Sequence, residues 1–103
     1  MGTLHGLSNK DTIASLCQKS SLFQLFDHVY VFGSLLRSDA IPNDIDLLLV
    51  YSSFSAIIID IMISIKESLE EEFHIPIDLT VLSQAELIET DIMSMIGPVQ
   101  IIK

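Results

Sequence analysis

Three aspartates and a Gly-Ser pair hold most of the chemistry this sequence can do. Asp44 and Asp46 stand one residue apart at the entrance to the apolar run IDLLLVY, and Asp78 lies inside a second run, IPIDLTVL. In an extended strand alternate side chains share a face, so Asp44 and Asp46 point one way while Ile45 and Leu47 point the other. A carboxylate buried without a partner is costly, and a positive group is expected between the two. A pair of Mg²⁺ ions meets that need, because Mg²⁺ prefers hard oxygen ligands and takes the rest of its shell from water and substrate phosphates. If the second run pairs beside the first, Asp78 becomes the third carboxylate of a two-metal site. Such a site can hold both the attacking and the leaving oxygen of an in-line displacement at phosphorus.

The turn before the aspartates supplies groups for the phosphates themselves. Gly33 lets the backbone approach a ligand closely, Ser34 offers a hydroxyl, and the N–H groups of a short helical turn after them point at phosphate oxygens. Arg37, one turn on, is placed to clamp the same phosphates. Plainer alternatives exist for each residue: Asp44 and Asp46 as strand flanks, Asp78 as a solvent-facing edge residue, Arg37 as an inert loop charge. His5, His28 and His74 have no ligand spacing between them and read as surface or packing residues, and Cys17 reads as a small core residue of the first helix.

The elements that must position these groups follow from local pattern. Ser8, Asp11, Ile13, Leu16 and Cys17 predict a capped amphipathic helix over residues 8–26. The aromatic and β-branched run His28 to Phe32 predicts a strand, stopped by Gly33 and Ser34. A loop with Pro42 and Asn43 leads into a strand over 44–51. Residues 55–72 are rich in isoleucine, yet Asp60, Ser64, Glu67, Ser68 and Glu71 recur at steps of three and four, which predicts a helix with a narrow wet stripe and a very wide apolar face. An arc that wide leaves apolar surface over, and it points to a homodimer contact or a docking face for a partner. The run Glu70 to Glu72 reads as its solvated end. Ile75 to Leu82 predicts the third strand, Ser83 with Glu86 a capping box opening a helix to about Ile96, and Val99 to Ile102 a short edge strand after Gly97 and Pro98. The expected fold is α/β in the α+β sense: one small mixed sheet with helices packed on it, in a single domain spanning 1–103 with its core over about 10–102.

Composition narrows the function classes. A chain of 103 residues holds one core and is too short for a catalytic domain plus a substrate domain, so part of any substrate is held by another chain. The net charge of −9 repels phosphate backbones and argues against stable nucleic-acid binding; it suits a basic partner or divalent cations that bring a nucleotide with them. A single cysteine excludes an internal disulfide and suggests the reducing cytoplasm. No apolar run reaches the roughly 18 residues of a membrane span.

Together, Gly33-Ser34, nine intervening residues, then Asp44-Ile45-Asp46, with Asp78 on a later strand, resemble the signature of the nucleotidyltransferase superfamily related to DNA polymerase β. The size, the spacing from Gly33 through Arg37 to Asp46, and the closing GPVQIIK are similar to the minimal nucleotidyltransferases (MNT). The resemblance covers about residues 10–102 and implies the nucleotidyltransferase fold and transfer of AMP from ATP to a hydroxyl, with release of pyrophosphate. It implies Asp44 and Asp46 as metal ligands, Asp78 as a ligand or the base for the acceptor hydroxyl, and Gly33 and Ser34 as holders of the outer phosphates. Members of this size are similar to antitoxins of two-gene modules whose partner is a HEPN ribonuclease toxin, with a toxin tyrosine as the implied acceptor. Ser38 stands where many relatives carry glycine after the arginine. The alternative function is a non-catalytic module that neutralises its partner by occlusion. Retention of three carboxylates favours catalysis, and the short length argues against transfer to a small molecule such as an antibiotic.

Overall fold

The computed structural model describes residues 9–36 and 44–103. Strand β1, His28–Phe32, leads through a 3₁₀ turn at Gly33–Leu36 toward β2, Ile45–Tyr51. These pair antiparallel, with Val31 opposite Leu47 and Phe32 opposite Asp46. Helix α2, Ile57–Phe73, then carries the chain back so that β3, Ile77–Ser83, runs parallel to β2. Strand β4, Val99–Ile101, adds antiparallel to the free side of β1, and the mixed sheet has the order β3-β2-β1-β4. The small α+β fold expected from the sequence is the one observed.

Alternation along the strands decides where the core lies. Val29, Val31, Ile45, Leu47, Leu49 and Ile77 point to one face and are fully buried against Ile58, Ile65 and Leu69 of α2. Helix α1, Asn9–Cys17, and a 3₁₀ turn at Ser20–Phe23 close the same core with Leu16, Phe23 and Phe26. Leu48 and Val50 point to the opposite face, where they too are fully buried. Helix α3, Gln84–Thr90, packs on β2 and β3. Each such side chain contributes roughly 1.5–3 kcal/mol of transfer free energy. Every second residue of β2 therefore anchors the strand that carries Asp46.

Several sequence expectations are adjusted. The first helix is shorter than 8–26, and its expected cap Ser8 lies outside the described residues. Thr12 and Leu16, four apart, take the inner face, leaving Cys17 exposed rather than in the core. The last helix is broken in two: Ser83 and Glu86 form the capping box of α3, but Asp91 adopts a left-handed conformation (φ 52°) and starts α4, Ile92–Ile96. Aspartate tolerates that conformation better than most residues, so the sequence showed no break. Glu70 and Glu72 are not merely solvated. Glu72 pairs with Lys19 and accepts from Ser15, while Glu70 accepts from Lys66 and from the Ile77 N–H. No helix among the described residues is long and apolar enough to cross a membrane.

Candidate active site

The parallel register of β2 and β3 builds the site. Asp46 and Asp78 are direct partners across the two strands, so their side chains rise from the same face as neighbours. Asp44, just before β2, turns toward them. One carboxylate oxygen from each of Asp44, Asp46 and Asp78 lies within 4.8 Å of the others. Asp44 and Asp46 are half-buried and Asp78 is exposed, so the group opens to solvent on the β3 side.

Three acidic groups this close resist ionising together. The Asp44 carboxyl is held above the ordinary aspartate range by a hydrogen bond shared with Asp78, then by burial and the Asp78 charge. Burial comes first for Asp46, followed by the charges of Asp44 and Asp78, and it too is pushed up. Among the described residues the ion pairs are Lys19–Glu72 and Lys66–Glu70, and no lysine or arginine side chain offsets the triad. A cluster of hard oxygen donors with uncompensated charge fits a divalent cation, and these three side chains would hold it. Arg37, expected beside the phosphates, lies outside the described residues.

Gly33 and Ser34 do more here than the sequence suggested. Gly33 has φ +78°, and a Cβ on it would run into the Asp46 carboxylate, so the missing side chain makes room for the aspartate as well as for any ligand. The Ser34 hydroxyl donates to the Asp44 main-chain carbonyl at 3.4 Å, which ties the turn after β1 to the start of β2. That turn follows β1 directly and has the short helical form that leaves N–H groups free.

These features sit on a strand-turn-strand frame with the third carboxylate on a neighbouring parallel strand. The family model described as Polymerase beta, Nucleotidyltransferase matches residues 12–95, and so takes in the turn, both strands and Asp78. The chain belongs to the polymerase beta nucleotidyltransferase family. Among solved structures it is similar to a protein from Sulfolobus solfataricus provisionally described as a nucleotidyltransferase, at 21% identity and a TM-score of 0.46, over 98% of this chain and 89% of that one. No match was found among curated proteins. Membership of this nucleotidyltransferase family supports general nucleotidyl transfer and a divalent metal at the acidic group.

Sequence reasoning missed two contributors. Nothing local predicted that Asp46 and Asp78 are register partners, because register is a property of two strands. Lys66 and Glu70, four apart on α2, reach the backbone of Ile77 and hold the start of β3 beside the site; the Nζ of Lys66 donates to the Ile77 carbonyl at 2.7 Å, and the Ile77 N–H donates to Glu70 at 2.9 Å. Their spacing was visible as a helical pair.

Proposed function

We propose that the chain transfers AMP from ATP to a hydroxyl, a tyrosine, of a HEPN-type toxin, and acts in the cytoplasm as that toxin's antitoxin. The gathering of Asp44, Asp46 and Asp78 beside the Gly33 turn is the observation that carries the reading. The N–H groups of Gly33-Ser34, and the Ser34 hydroxyl once it leaves the Asp44 carbonyl, bind and orient the outer phosphates of ATP, with Arg37 clamping them. Asp44, Asp46 and Asp78 would hold two Mg²⁺ ions, which supply charge neutralisation at the transferring phosphoryl group. The acceptor oxygen forms a bond to the α-phosphorus as the bond to the bridging oxygen breaks. Pyrophosphate leaves with that electron pair, and a triad carboxylate, Asp78 being the most open to solvent, takes the hydroxyl proton and passes it to water.

A second reading keeps the docking and drops the chemistry: a binding module that neutralises the toxin by occlusion, or a surface for a homodimer. The isoleucines Ile57, Ile59 and Ile63 of α2, all about half exposed, favour it as a docking face. The two readings separate by intact mass. Incubation with the partner, Mg²⁺ and ATP should add AMP to the partner, and the Asp44→Ala, Asp46→Ala double variant should add none. Binding that survives the double mutation with no mass change under any common nucleotide would establish occlusion instead.

A further inference from the structure

The outer edge of β3 runs past the acidic triad, and among the described residues most of it has no strand partner. In the parallel pairing, Pro76 accepts from the Ile45 N–H, so the N–H and C=O groups of Ile77, Leu79 and Val81 point away from the sheet. At Ile77 both are capped by side chains of α2, Glu70 on the N–H and Lys66 on the carbonyl. Beyond that clamp no hydrogen bond among the described residues engages the outward groups of Leu79 or Val81. A polar edge of this kind is a template for another strand.

Helix α2 supplies the flank beside that edge. Ile59, Ile63, Lys66 and Glu70 fall on one stripe, at steps of four, three and four. Since α2 runs opposite to β3, the rise of about 1.5 Å per helical residue and about 3.3 Å per strand residue, counted from the clamp at Ile77, puts Ile63 about level with Leu79 and Ile59 about level with Val81. Both isoleucines are about half exposed. The adjoining exposed positions Asp60, Glu67 and Glu71 are acidic, while the one lysine of α2, Lys66, is engaged at the clamp.

We infer that this edge receives an extended segment of the acceptor protein as a fifth strand, apolar toward Ile59 and Ile63 and basic around it, setting a hydroxyl side chain beside Asp78. The inference rests on the transferase reading above and adds how the acceptor is presented. Alternation fixes the chemistry of the segment. Residues opposite Leu79 and Val81 face the α2 flank and are apolar; the residue opposite Asp78 faces the site, one strand spacing of about 4.8 Å away. The charge of −9 on this chain selects a basic segment and disfavours a second copy in the same place.

The probe is the peptide Lys-Val-Lys-Val-Tyr-Lys, with phenylalanine in place of tyrosine as control, added in excess to the full chain. Amide exchange at Leu79 and Val81 should slow by about tenfold or more, and AMP from Mg-ATP should appear on the tyrosine peptide alone. Val81→Pro removes an outward N–H that no ladder bond uses, and Ile59→Asp with Ile63→Asp alters only exposed positions; each should cancel protection at Leu79 while the far-ultraviolet circular dichroism stays unchanged. Calorimetry of Mg-ATP on the same samples separates the two ideas. Mg-ATP binding without any response at the edge amides overturns the docking inference and leaves the transferase reading standing. Edge protection without Mg-ATP binding overturns the delivery role together with that reading. Edge amides already slowed in the absence of peptide, in step with dimers seen by sedimentation, would assign the edge to a second copy and also overturn it.

Discussion

Asp46 is asked to sit half-buried between two other acids, and its neighbours explain both the cost and the use. Because Asp44 and Asp46 bind protons more tightly folded than unfolded, the metal-free chain loses stability as the pH rises from the ordinary aspartate range through their raised values. Asp46→Asn should therefore raise the melting temperature of metal-free protein at neutral pH, read by calorimetry, while lowering the transfer rate by about 10³-fold, the scale of several kcal/mol of charge stabilisation. Metal affinity should fall as the pH drops through the same raised values, since protons and cations compete for the same oxygens; titration with Mg²⁺ across the acidic range checks it. Gly33→Ala adds a side chain to a left-handed position and drives it into Asp46, so a loss of roughly 1–3 kcal/mol is expected in the denaturant midpoint. Much of that loss should vanish in an Asp46→Ala background, a coupling that simple backbone strain would not show.

Among the elements, β2 and β3 carry the site while α2 holds them in register, and the strands were the part most legible in sequence. His28 to Phe32 was readable as a strand to the residue, and Ser83 with Glu86 as a helix start, because each rests on a local pattern. Elsewhere the sequence was silent for a physical reason. Asp78 was visible as a strand aspartate, but its pairing with Asp46 depends on how α2 spaces two distant segments. The break at Asp91 and the exposure of Cys17 depend on packing that periodicity does not encode. Helix α2 also ends on His74 in a left-handed conformation (φ 60°), with its N–H on the Glu70 carbonyl. Replacing His74 by glycine should stabilise the chain by about 1 kcal/mol, since glycine escapes the left-handed penalty. Glu70 and Glu72 titrate below the ordinary glutamate range, Glu70 through the Ile77 N–H and then Lys66, Glu72 chiefly through Lys19. Their support is present above the unfolded value and is lost as the pH falls through the lowered ones, opposite in direction to the triad.

For the whole molecule, charge and connectivity set the remaining behaviour. A net charge of −9 on 103 residues means self-repulsion, so added monovalent salt should raise the melting temperature by screening, as a thermal scan in increasing NaCl would show. Connectivity matters in another way. Strand β1 is internal to the sheet, yet one of its two partners is β4, the strand of that sheet furthest from it along the chain. The ammonium of Lys103 donates to the carbonyls of Phe23 and Phe26, and the main chain of Ile102 and Lys103 bonds to Val29. During synthesis β1 therefore stands with a bare edge until residues 99–103 leave the ribosome. Nascent chains stalled before residue 99 should remain protease-sensitive around β1, and the sheet closes only when β4 is laid against β1.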